Sequence, residues 1–141
     1  MSSPALSADA KTEMRLFDSF SPGQPCGRAV IALNRTFTEQ MKNLLGPSLT
    51  DDRIHMAAVP LLLMRAFTTV VGGRPPGNLH VGQVCELFEL PGTEAELEAN
   101  VVCLGKEKKR DRKILRFEIS LSEPGSGRRF MSGVSTIFWA A

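Results

Sequence analysis

Two adjacent acids and a histidine, Asp51, Asp52 and His55, stand directly before the most apolar run of this chain, in "TDDRIHMAAVPLLLMRAF" (Thr50 to Phe67). A carboxylate and an imidazole at the mouth of an apolar pocket could take a proton from water and deliver one elsewhere, which is general acid–base chemistry. The same residues have a structural use. Acids in a first helical turn favour the positive end of the helix dipole, and Thr50 or Asp51 has the chemistry of an N-cap. A histidine at the mouth of an apolar helix can equally be a half-buried, satisfied side chain. Both uses stay open on these residues alone.

The other chemistry-bearing residues point less sharply. His80 opens a strand-like segment and is expected to face solvent or a subunit partner. "KEKKRDRK" (Lys106 to Lys113) places six basic residues around two acids in a hairpin. It reads as a solvated turn, or as cations that meet the phosphates of a ligand. The glycines of "GGRPPG" and "PGSGRR" lack the strand-to-helix setting of a phosphate loop and read as turns. Cys26, Cys85 and Cys103 have no metal-type spacing and no neighbouring base. They read as reduced, buried thiols of a cytoplasmic protein, with no metal expected.

The elements that must position these groups follow from periodicity. "RAVIAL" (Arg28 to Leu33) has a strand composition, and "TFTEQMKNLLG" (Thr36 to Gly46) reads as a short helix. A capping box of Thr36 and Glu39 would start that helix, and Gly46 with Pro47 would stop it. Phe37, Met41, Leu44 and Leu45 share one of its faces. A second helix is expected between about Arg53 and Val71. Arg65 is its only charge from Met56 to Phe67, so it should be apolar all round and buried. "GGRPPGN" ends it.

After Asn78 the period changes to two, giving four strands: "LHVGQVCELFEL", "EAELEANVVCLG", "KILRFEISLS" and "RFMSGVSTIFWA". Ala95, Leu97, Ala99, Val101 and Cys103 fall on one face, and so do Leu115, Phe117, Ile119 and Leu121. "PGT", "KEKKRDR" and "EPGSG" have the composition of hairpin connections. One buried helix followed by antiparallel strands implies an α+β hot-dog fold, a curved antiparallel sheet of about five strands wrapped around a long central helix.

The length, 141 residues, suits one domain, expected over 15–141 behind a flexible tail over 1–14. A formal net charge of only +2 gives no reason to expect nucleic acid or an anionic membrane as partner. The first residues lack the apolar core of a secretory signal, and no run reaches the length of a membrane span.

With these elements in place, the chain resembles the MaoC-like hydratase/dehydratase family of hot-dog proteins from about Leu16 to Trp139. "FDSFSPGQ" looks like the family's opening segment and "RTFTEQMKNLLG" like its first helix. "HVGQVCELFELPGTEAELEANVV" looks like the two strands after the central helix, and "MSGVSTIFW" like the closing strand. The resemblance is nearest to the non-catalytic N-terminal repeat of double hot-dog hydratases. It implies an acyl-thioester protein that hydrates trans-2-enoyl-CoA or runs the reverse dehydration. It implies no cofactor, with coenzyme A entering only as part of the substrate. An Asp and a His five residues apart activate the water in that family, and a backbone N–H near the helix start polarises the thioester carbonyl.

Here the residue five before His55 is Thr50, and "DDRIH" contains no Asn-Pro. The resemblance therefore carries a catalytic set of His55, Asp52 and Asp51 only in altered spacing. Met56, Val59 and Arg65 are the candidate substrate contacts. Arg65 is equally able to snorkel or to pair with a carboxylate. Alternatives are a silent hot-dog subunit that partners an active hydratase, or an acyl-CoA thioesterase. An unpaired sheet edge implies at least a homodimer, or a heterodimer with another hot-dog subunit.

Overall fold

The structure, a computed structural model, describes residues 14–141. The tail expected over 1–14 thus lies outside the described residues, apart from Met14, which bridges to Gly73. A short 3-10 turn leads into strand β1 (Pro25–Ala32) and helix α1 (Arg35–Leu45). A second 3-10 turn, Met56–Ala58, opens directly into helix α2 (Val59–Val71). Strands β2 (Leu79–Leu87), β3 (Glu96–Lys109), β4 (Arg112–Ser122) and β5 (Arg129–Trp139) join β1 in one antiparallel sheet of order β1-β3-β4-β5-β2.

Helix α2 buries Val59, Leu62, Leu63, Ala66, Phe67 and Val71, the three-and-four spacing of one helical face. Alternation in β3 and β4 buries the two rows expected, Leu97 to Cys103 and Leu115 to Leu121. Phe117 lies at the centre of this core, with the rings of Phe20 and Phe67 at 5.2 and 4.9 Å. Each such large side chain, once buried, stabilises the fold by about 1.5–3 kcal/mol. No helix among the described residues is long and apolar enough to cross a membrane.

Four local expectations change. The central helix starts at Val59 rather than near Arg53, and it is not especially long. The segment before it is held extended, because Ile54 N–H donates to Pro91 O at 3.1 Å and Thr93 N–H donates to Asp52 O at 3.2 Å. Neither Thr50 nor Asp51 caps the helix. Pro60 then suits the first turn, where a missing N–H costs nothing. Nor is α2 buried all round, since Leu61 and Arg65 face outward.

The second change concerns α1. Its cap is Asn34, whose Oδ1 accepts from Phe37 N–H at 2.8 Å, so Thr36 falls inside the helix and the capping box does not form. Leu44 and Leu45 are exposed, although Phe37 and Met41 pack against the core. The third is the "PGT" connection. It is a crossover rather than a hairpin, because β2 pairs with β5 while β3 pairs with β1 and β4. The other two hairpins form as expected.

The fourth is Cys85, which is exposed on the edge strand β2, whereas Cys26 and Cys103 are buried. Desolvation pushes all three thiols above their ordinary range, offset in part at Cys26 by Arg15 and at Cys103 by its bond to Gly105 O and by Lys106. A thiol reagent at neutral pH is therefore expected to modify one cysteine in the native protein, and slowly, and all three after denaturation. Rapid reaction of two or more native thiols would contradict this placement.

Candidate functional site

A cleft of about 260 Å³ opens where α1, the 46–55 segment and the loop before β3 meet. Backbone bonds fix its floor, since residues 52–54 are tied to 91–93 as described. Two side chains tighten it. Arg53 Nη1 donates to Leu90 O at 3.3 Å, and Thr38 Oγ1 donates to Thr93 O at 3.0 Å. Phe37 and Met41 supply apolar wall. Arg35, Lys42 and Arg53 share the lining with Glu39, Asp51 and Glu94, so the cleft has no dominant charge.

His55 lies on this wall and also caps the turn into α2. Its Nδ1 accepts from Ala57 N–H at 3.0 Å. A ring nitrogen that accepts carries no proton, so this bond assigns the neutral tautomer with hydrogen on Nε2. A doubly protonated ring would lose the cap. The imidazole is thereby presented as a fixed N–H donor rather than as a base.

The structure brings Asp51 and His55 to the same cleft. Among the described residues no hydrogen bond joins them, and Asp51 is exposed with no ion-pair partner. The walls do not include Asp52, Met56, Val59 or Arg65. Asp52 uses its backbone carbonyl to hold Thr93, while its side chain is exposed. Met56 is exposed, and Val59 is in the core. The Arg65 guanidinium sits 5.8 Å from the centroid of Phe37, one side chain behind the wall.

Arg53, Thr38 and Glu94 enter the site without any signal in the sequence, because only the crossover after β2 carries residues 93 and 94 to α1. His80 is exposed on β2, as expected. The basic hairpin lies at the far end of β3 from Glu94, a strand about 45 Å long at ~3.3 Å per residue. Within one chain its cations therefore do not meet a ligand seated in the cleft.

No family model and no curated protein matches this sequence. Solved structures do match. The R-hydratase PhaJ1 from Pseudomonas aeruginosa superposes with a TM-score of 0.70 at 15% identity, over 88% of this chain and 84% of that one. A MaoC-like dehydratase from Rhodospirillum rubrum gives 0.72 at 12% identity, over 90% and 98%. A chain of the ChsH1–ChsH2 complex from Mycobacterium tuberculosis gives 0.66 at 8% identity, over 85% and 98%. At such identities the agreement is one of overall architecture rather than of side chains. This chain has the hot-dog fold, in the form it shares with R-hydratases and MaoC-like dehydratases.

Proposed function

We propose that this chain is an acyl-thioester-binding subunit that hydrates an enoyl thioester, or runs the reverse dehydration, in the cleft at the entry to α2. Coenzyme A is the carrier part of the substrate, and no separate cofactor is needed. The observation that carries this reading is His55, held on the cleft wall by the Ala57 amide with its Nε2–H left free. A neutral imidazole fixed in this way suits polarisation of the thioester carbonyl and stabilisation of the enolate oxygen. Asp51 on the same wall takes the proton from the water that adds at C3, and a proton returns to C2. Two proteins of the same fold are named as a hydratase and a dehydratase, which supports this reaction class.

A second reading is favoured by a specific observation. Asp51 and His55 share no hydrogen bond, and their spacing departs from the motif of active hydratases. The chain would then be a silent subunit completing an active hot-dog partner. A structural neighbour that occurs in a two-component complex supports this possibility.

Either reading needs a neighbour at β2. That edge strand is exposed along nearly its whole length, with Leu79, Val81 and Val84 open to solvent, and an open edge of this kind is a site for strand pairing. A second hot-dog subunit is the expected occupant, in a cytoplasmic setting that suits three free cysteines. Crotonyl-CoA and longer enoyl-CoAs offered to the purified protein, beside an acyl-CoA hydrolysis assay and sedimentation, test the proposal. Hydration by a dimer is the expected result. Acyl-CoA binding without turnover would select the silent subunit, and hydrolysis without hydration a thioesterase. Absence of binding to any thioester would overturn the whole reading.

A further inference from the structure

The β3–β4 hairpin conflicts with the rules that stabilise sheets. Its register places Lys108 directly opposite Lys113, and Lys109 directly opposite Arg112. Like charges facing each other across two strands are destabilising. Here two such pairs are consecutive, one on each face of the ribbon. Arg110 at the turn adds a fifth cation and a positive φ of 59°.

Among the described residues, no carboxylate relieves the repulsion. On one flank, pairing to β1 ends at Val102, and on the other, pairing to β5 begins at Lys113 opposite Trp139. The ribbon tip, from Lys109 to Arg112, therefore has no third strand paired to it on either flank. Lys106 is anchored, donating to Phe20 O at 3.0 Å, 3.9 Å from Asp18 and 4.6 Å from the centroid of Phe17, while Arg112 and Lys108 lie 4.8 and 5.9 Å from the centroids of Phe138 and Phe17, contacts that leave their charge unneutralised. Among the described residues, no carboxylate comes within ion-pair distance of Lys108, Lys109, Arg110, Arg112 or Lys113.

We infer that this ribbon is a docking surface for an acidic patch on another protein. The cations lie on both faces and around the turn and converge on no cavity, so an extended anionic surface fits them better than a small enclosed anion. Glu107 and Asp111 are interspersed among them, which suits a partner of mixed charge. Of the chain's 17 basic and 15 acidic residues, the ribbon holds six and two, so the remainder is net acidic. That balance gives little long-range attraction to a long, stiff polyanion such as duplex nucleic acid, whose charge runs past the ribbon and along the acidic remainder. A dipolar molecule with one basic end instead orients that end towards a discrete acidic patch. The ribbon lies at the opposite end of β3 from the cleft, so this inference does not depend on the proposed reaction.

The test uses the full chain and a labelled poly-L-glutamate peptide of about 20 residues as the acidic probe. Binding is read by anisotropy, and stability by the melting temperature. Lys113→Glu replaces a repelling cross-strand pair with an attracting one. It is expected to raise the melting temperature by about 2–4 °C and to weaken peptide binding at least about tenfold. Lys108→Glu, changing the other member of the pair, is expected to do the same. Arg129→Glu, a charge-matched change at the far end of the sheet, is expected to leave binding unchanged. Loss of stability in both ribbon variants, or unchanged binding in both, would overturn the inference. So would equal or tighter binding of duplex DNA or of vesicles containing phosphatidylserine, and so would failure of the wild-type chain to bind the peptide at low salt.

Discussion

His55→Asn is expected to lower turnover of an enoyl thioester by about a hundredfold to a thousandfold while leaving the melting temperature unchanged. His55→Ala should lower both. The distinction follows from the two uses of the ring. Nδ1 accepts the Ala57 amide and closes the turn into α2, and the same ring lines the cleft, where the proposed reaction uses Nε2–H. Asparagine is a good cap acceptor, so it keeps the first use and loses the second. Alanine keeps neither and leaves the amide unpaired, a loss of about 0.5–2 kcal/mol. Steady-state rates on enoyl-CoA, beside thermal melts of both variants, read the two effects separately. Unchanged turnover in the asparagine variant would remove His55 from the chemistry. An equal drop in melting temperature for both variants would refute the capping role.

Gly133→Val is expected to destabilise the fold by about 1–3 kcal/mol, as overpacking of a filled interior does. Gly133 lies on β5 beneath α2. A Cβ built there meets Val84 O at 2.8 Å and Leu63 Cδ1 at 2.9 Å. One of those atoms is backbone of β2 and the other belongs to the central helix, so any side chain here wedges both away from β5. Gly82→Ala is the control, since its Cβ meets nothing nearer than Thr136 at 3.8 Å. Denaturant unfolding should show the midpoint falling for Gly133→Val and holding for Gly82→Ala. A tolerated valine at 133 would mean that helix and sheet approach less closely than described. The effect reaches function as well, because β2 is the edge proposed to meet the second subunit.

Much of the architecture was legible in the residues themselves. Leu97, Ala99, Val101 and Cys103, then Leu115, Phe117, Ile119 and Leu121, alternate so regularly that only one face can be buried. The run from Met56 to Phe67, with Arg65 its only charge, is too apolar to be anything but central. These are local signals, because strand and helix periodicity depend only on near neighbours along the chain. The hairpins "KEKKRDR" and "EPGSG" were legible for the same reason: turn chemistry is local. "PGT" misled because a Pro-Gly pair reports a bend and says nothing about which strands meet beyond it.

The candidate site depended on the opposite kind of information. Two adjacent acids look equivalent in sequence, yet Asp51 lines the cleft and Asp52 does not. What separates them is the pairing of residues 52–54 with 91–93, between segments nearly forty positions apart. The same pairing delays the start of α2 and leaves His55 as the cap.

The sequence alone determined the number and type of elements, the apolar faces that make one core, and the presence of acid, base and cation candidates. Tertiary structure alone decided which of those candidates share a cavity, which nitrogen of His55 is free, and that two pairs of like charges face each other across a ribbon. Periodicity and turn chemistry are fixed by bonds between near neighbours. A cavity, a tautomer and a cross-strand register are fixed by groups that only the folded chain brings together.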